Sequence, residues 1–449
     1  MVRVDDRREV VGVFGVSFVS KLLTYFLLLV LGNLYLVEDY GASTFAFGVF
    51  NIVLFFSLVG LPDTMVPWII QRRDYRSILY FLLSLNVLVC GAGLFVAFYH
   101  PWLLPLVLFY PFSLLSAFGR VFLRIQHRYR LIQWLSALFV GMQLVFSLLF
   151  VPFGRLGIVL GFALAFFVDA FVFGWVTRPQ MFSAFKHFSF DLRVIRDFLK
   201  KGFITSLITL SFAFLGWIDT SLLGLLGSFE DVARYNIAAP VANVLSIIGL
   251  SLSMFLLTRS AEIRSRKSSL ALLAGTLRVA LVLSLLGAVM VGAFAGLAIQ
   301  LFFPKYLGVE LYSALLAVGL VFYTVYVLIA TYLNGKLQPE KVVVPLVVAA
   351  LVNIVLDVIL IPQLGVLGIV IATMVAHMFA FVLLVRQVRM GKAVWPAAFV
   401  PFIVYGAYML GVYGSLLVIP LVVLLFVTGL LKRSDVDLVV DIFRKFLRK

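Results

Sequence analysis

Residues 353–373 read NIVLDVILIPQLGVLGIVIAT. The stretch is almost wholly apolar, yet Asn353 and Asp357 fall one helical turn apart on the same face. Pro362, Gly365 and Gly368 then turn the chain, and a second apolar run carries Thr373. An Asp at the centre of a membrane helix costs about 2.5–3.5 kcal/mol on the insertion scale. Ionisable residues retained at that depth mark an ion or substrate path by default. Hydrogen bonding between helices, with no ion, is the other way to offset the cost.

Composition fixes the surroundings of this hairpin. The chain has 449 residues, is 63% hydrophobic and 12% charged, and has a mean hydropathy of +1.14. Those values lie outside the range of soluble domains. Apolar runs of about 20 residues, the length that crosses a ~30 Å hydrocarbon core, recur throughout. The expected fold is an all-α polytopic membrane protein of about fourteen transmembrane helices. The spans fall at 10–36, 44–70, 78–98, 102–123, 131–152, 157–177, 202–224, 235–258, 270–303, 309–333, 342–361, 365–388, 396–412 and 414–431. The last two come from one run too long for a single helix, divided by the turn from Gly411 to Gly414. No cleavable signal is expected, because MVRVDDRRE leads into a span too long for a signal-peptide core.

The basic residues test that count. With the N-terminus cytoplasmic, 31 of the 36 Lys and Arg residues fall on inner segments and three, Arg155, Arg234 and Lys305, on outer loops. Such a split is what the positive-inside rule demands. Both termini are therefore expected on the cytoplasmic side of the cell membrane. The net charge of +16 needs no nucleic acid as a partner; it reports topology and attraction to anionic lipid.

The chain divides into an N-terminal six-helix lobe (1–177), an amphipathic cytoplasmic linker (178–201), a C-terminal six-helix lobe (202–390), helices 13–14 (391–431) and an amphipathic cytoplasmic tail (432–449). In the linker Leu192, Ile195, Phe198 and Leu199 share one face and the basic residues lie elsewhere, as in a helix on the inner interface. An internal repeat supports the two lobes. QLVFSLLFVPFGRLGIV (143–159) aligns with NIVLDVILIPQLGVLGIV (353–370), Gln143 on Asn353 and Gly157 on Gly368. Two units in one orientation imply a pseudo-twofold along the membrane normal. Ser147 stands where Asp357 stands, so a cation at this hairpin belongs to the second lobe alone.

Other charges lie within or at the ends of spans. Lys21 sits midway along the first and Arg278 two turns into the ninth, while Arg120, Arg124 and Arg259 crowd the inner ends of the fourth and eighth. With Lys21 at the interface between lobes, an inward-open cavity is basic and suits a phosphate or pyrophosphate head group. Snorkelling to the inner surface is the competing reading for Arg120, Arg124 and Arg278. Asp63 and Asp169 are the carboxylates an organic-cation pump would need. Every outer loop is short, and no phosphate-cradling glycine loop, nucleophile motif or metal-ligand spacing occurs. The expectation is a transporter, not an enzyme, with no cofactor.

The 353–373 hairpin, WIDTSLLGLLGSFEDVARYNIAAPV (217–241), and SKLL, EDYG and VGLPDTMV in the first 70 residues resemble the polysaccharide biosynthesis and export flippases. These belong to the multidrug/oligosaccharidyl-lipid/polysaccharide (MOP) superfamily and are related to lipid II flippases. The resemblance covers residues 10–390. It implies alternating access, carrying a lipid-linked oligosaccharide on an isoprenoid phosphate or pyrophosphate from the cytoplasmic to the outer leaflet. It also implies a sodium ion held by Asp219, Asn353, Asp357, Thr373 and the carbonyl of Ile369. A proton is the alternative coupling ion, with Asp357 and His377 as its carriers. A drug or organic-cation antiporter of the same fold is the alternative function.

Overall fold

The computed structural model describes residues 4–58, 61–70, 75–185, 189–263, 265–336, 338, 340–390, 394, 397 and 399–427. The 432–449 tail lies outside them. Among the described residues there is no strand, only helices and their turns. By its contacts the chain separates into two compact units, Met1–Ala233 and Arg234–Lys449.

The first unit holds α1 (Val4–Leu34), α2 (Val37–Leu58), α3 (Leu61–Ile70), α4 (Arg76–Tyr99), α5 (Leu104–Phe109), α6 (Phe112–Ile125), α7 (Tyr129–Leu149), α8 (Arg155–Val176), α9 (Arg178–Phe185) and α10 (Leu192–Leu226). A helix α11 (Phe229–Asn243) begins there and leads into the second unit. That unit continues with α12 (Ser246–Glu262), α13 (Arg266–Phe302), α14 (Glu310–Gly335), α15 (Glu340–Leu364), α16 (Val366–Val388), α17 (Val400–Leu410) and α18 (Val418–Val427). Nine described helices or helix runs are long and apolar enough to cross a bilayer, ten with α11 and α12 taken as one bent span. Shorter apolar helices at Val19–Leu34 and Trp217–Leu226 accompany them.

Residues 44–58 and 61–70 of the second expected span are helical. Two other expected segments are shaped by local chemistry. The run at 235–258 bends by 50° between α11 and α12, just after Pro240 removes a donor inside α11. The amphipathic stretch at 178–201 is shared between α9 and the first turns of α10. Asp191 caps α10 by accepting from the Arg193 N–H at 2.7 Å.

One turn recurs three times. Gly154, Gly365 and Gly411 adopt the same positive-φ backbone (φ, ψ of 54, −133; 55, −127; 55, −138), open to glycine alone. Three residues on, Gly157, Gly368 and Gly414 lie flat against the preceding helix. A Cβ on them would collide with the carbonyl oxygens of Phe150, Leu360 and Ala407 respectively. G-x-x-G thus reverses the chain between α7 and α8, between α15 and α16, and after α17. The contact of Gly414 on Ala407 requires that reversal, although Val400–Val423 has the length and hydropathy of one span. Gly368→Ala is expected to lower stability by about 1–3 kcal/mol, the cost of overpacking, read as a fall in the melting temperature of the purified protein.

Each unit has its own core. In the first, Phe47 stacks on Phe162 at 4.3 Å, and Phe50 meets Tyr110, Phe162 and Phe166 edge-on. In the second, α14 is central: 83% of its most apolar window is buried, so polar groups on it lie inside protein.

Candidate functional site

The α15–α16 hairpin brings the polar residues of 353–373 to one level. Gly368 abuts Leu360 and Ile361. At about 1.5 Å per residue, Asp357 lies about 5 Å to one side of that contact along α15, and Thr373 about 7.5 Å to the same side along α16. The first unit shows the same register directly: a Cβ on Gly161 would stand 2.6 Å from Ser147 Oγ, and these positions correspond to Ala372 and Asp357. Asn353, Asp357 and Ile369 are fully buried, and Thr373 is nearly so.

The donor set suits a hard monovalent cation. Both polar atoms of the Asn353 amide are buried without a hydrogen-bond partner, which leaves its oxygen available. Thr373 donates its hydroxyl proton to the Ile369 carbonyl at 2.8 Å. Hydroxyl and carbonyl oxygens each carry two lone pairs, so both groups belong to the oxygen donor set of the hairpin. With the Asp357 carboxylate, two helices supply four oxygens of the kind hard cations prefer. Asp219, the fifth expected ligand, is on α10 in the first unit. It is fully buried beside Thr220 and Ser221, where α10 packs closely on Gly48 of α2. The equivalent hairpin of the first unit offers only Gln143 and Ser147.

His377, one turn beyond Thr373 on α16, is buried against α14. Its Nδ1 lies 3.2 Å from the hydroxyl of Tyr326, and Gly319 makes room for the ring. Tyr326 is a polar contact that no spacing singles out, since it sits in the apolar run of α14.

The basic residues separate into different situations. Arg120 is engaged: its guanidinium lies 3.3 Å from Asp169 on α8, donates to Ser136 Oγ at 3.0 Å, and covers the Phe173 ring at 4.5 Å. Ser116 donates to the same carboxylate at 2.5 Å. Lys21 is exposed on α1, off the stripe of Leu27, Leu31 and Tyr35 that is buried. Arg278 is half-buried, and its Nε is buried without a hydrogen-bond partner. Arg124 occupies the last turn of α6. The side chains of Arg259 and Asp63 lie outside the described residues. The Ser116–Asp169–Arg120–Ser136 network joins residues up to 53 apart in sequence, and no spacing signals it.

Long apolar helices define a multi-pass membrane protein, and one of its hairpins carries buried polar groups. No family model matches the sequence. An uncharacterized membrane protein of Methanocaldococcus jannaschii is 25% identical over 218 residues, 47% of this chain. The match covers 43% of that relative, so the chain spans less than half its length. Solved structures give the fold. The lipid II flippase MurJ in an inward-closed conformation matches 96% of this chain and 100% of its own, with a TM-score of 0.72 at 16% identity. An inward-facing multidrug resistance MATE family transporter of the MOP superfamily matches 86% of this chain and 99% of its own, with a TM-score of 0.64 at 15% identity. A further MOP superfamily transporter, from Pyrococcus furiosus, reaches a TM-score of 0.54 at 16% identity over 86% of this chain and 96% of its own. The chain shares the fold of these solved structures.

Proposed function

We propose that this protein is an alternating-access flippase for a lipid-linked oligosaccharide, coupled to sodium through the α15–α16 hairpin. It acts in the cell membrane, from the cytoplasmic to the outer leaflet. The observation that carries the reading is the state of the intramembrane charges. An organic-cation antiporter needs carboxylates that are accessible to its cargo, and Asp169 is held by Arg120 and Ser116. Lys21 and Arg278 keep donors that are not engaged in hydrogen bonds among the described residues. Cationic donors of that kind suit an isoprenoid phosphate or pyrophosphate head group. The fold matched along nearly the whole chain is that of a lipid II flippase.

No covalent chemistry is involved. Asn353, Asp357, Thr373 and the Ile369 carbonyl would hold the ion in the second unit. Asp219 is assigned as a ligand by the family resemblance alone. A sodium ion would partly neutralise the buried carboxylate and draw α15 and α16 together, a differential interaction of the kind that biases a two-state protein. Its entry down a membrane potential supplies about 2.3 kcal/mol per 100 mV.

The test is transport in liposomes loaded with a fluorescent isoprenoid-pyrophosphate oligosaccharide. The wild type moves the lipid, and Lys21→Ala lowers the rate at least about tenfold, as loss of one charge-assisted hydrogen bond to the head group would. Uptake of ethidium, with no movement of the glycolipid, would assign the protein to organic cations instead.

A further inference from the structure

We propose that the start of α10 carries a binding site for an anionic glycerophospholipid on the basic-rich face of the membrane. The helix presents its side chains at about 100° intervals, which sorts the residues from 192 to 200 into adjoining strips. Val194 and Phe198 turn into the first unit, where Phe198 is buried edge-on against Trp68 at 5.5 Å. The next strip is apolar: Leu192, Ile195 and Leu199. Arg196 and Lys200 follow, one turn apart and both exposed. Beyond them Arg193 and Asp197 have opposite charges at the spacing where such residues compensate each other.

Leu192, Ile195, Arg196, Leu199 and Lys200 line one open cavity of about 590 Å³. One strip of this helix face is aliphatic and the adjoining strip carries two positive charges. That combination fits a phosphate diester between Arg196 and Lys200, with the upper part of an acyl chain along Leu192, Ile195 and Leu199. The groove is held in place by the first unit itself. The Asp191 N–H donates to Ser77 Oγ on α4 at 3.0 Å, and Ser189 shares a hydrogen bond with the same hydroxyl at 2.9 Å. The distribution of basic residues puts this segment at the basic-rich side of the membrane. At the end of α8, Trp175 is largely exposed with the Arg178 guanidinium 4.9 Å over its ring, the pairing of aromatic and basic residues found at bilayer interfaces. The basic surplus on this face of the chain supplies the complementary long-range field.

Binding to the purified full-length protein in detergent tests the site, with phosphatidylglycerol as the probe. Phosphatidylcholine and inorganic phosphate are the controls. The wild type binds phosphatidylglycerol in preference to both. Arg196→Gln/Lys200→Gln weakens that binding about twenty-five-fold, two lost basic contacts at about fivefold each, while Arg193→Gln leaves it unchanged. Leu192→Ser weakens it as well, because the chain loses its wall. Equal binding of the two phospholipids, wild-type affinity in the double variant, or displacement of the lipid by inorganic phosphate would each overturn the proposal. Both substituted side chains are exposed, so the fold survives the changes.

Discussion

Sodium is expected to raise the melting temperature of the purified protein, and potassium at the same ionic strength is not. A ligand that binds only the folded state stabilises by about 2.7 kcal/mol at a hundred times its dissociation constant, which for a chain of this size is roughly 3–5 °C. Asp357→Asn loses the shift, since it removes the carboxylate of the set. Asn353→Leu is the sharper variant. Both polar atoms of its amide are buried without a hydrogen-bond partner, so in sodium-free buffer the protein carries a desolvation cost of about 1–3 kcal/mol that an apolar side chain of similar size relieves. The leucine variant should therefore melt at or above the wild-type temperature without sodium, and respond to sodium not at all. Gln143→Leu, at the corresponding place in the first unit, should keep the full response. A sodium shift of wild-type size in Asn353→Leu would remove this hairpin from ion binding. Dependence on pH with indifference to sodium would transfer the coupling to a proton, with Asp357 and His377 as its carriers.

Much of this site can be read from the chain because its determinants are local. Asn353 and Asp357 are a helical turn apart on one segment, and the glycines that fold Thr373 back beside them follow within fifteen residues. Local backbone demands also explain why the G-x-x-G turns survive in the sequence: each needs a positive φ and, three residues later, no Cβ. The bend after Pro240 is likewise written in a single residue. What the sequence conceals depends on distant segments. Arg120 and Asp169 are 49 residues apart, and nothing in their spacing shows that one neutralises the other. Tyr326 is invisible for a different reason. In a helix apolar on every side, a tyrosine reads as core until the histidine that meets its hydroxyl is placed beside it. The start of α10 illustrates the middle case: its amphipathic pattern is plain, but only packing distinguishes Phe198, turned into the unit, from Leu192, left exposed.

Removing one member of the Arg120–Asp169 pair is expected to be costly, and unequally so. Asp169 is almost completely buried, with a side chain 2% exposed, whereas the Arg120 side chain is 31% exposed. Arg120→Met strands a carboxylate in hydrocarbon with Ser116 as its hydrogen-bond donor, a loss of about 3–5 kcal/mol by analogy with other broken buried pairs. Asp169→Asn leaves the guanidinium its bond to Ser136, its place over Phe173 and access to the surface, so the loss falls toward about 1 kcal/mol, that of one ordinary hydrogen bond. The combination Arg120→Met/Asp169→Leu removes both charges and keeps the volume. It should recover most of the stability, because two well-packed apolar groups avoid the desolvation that an ion pair must offset. Melting temperatures of the four proteins in one detergent give the order: wild type and double variant highest, Asp169→Asn between, Arg120→Met lowest. The same double variant separates structure from cargo. If Arg120 serves only to hold Asp169, glycolipid transport persists in it; if the guanidinium contacts the head group, transport falls although the fold is intact.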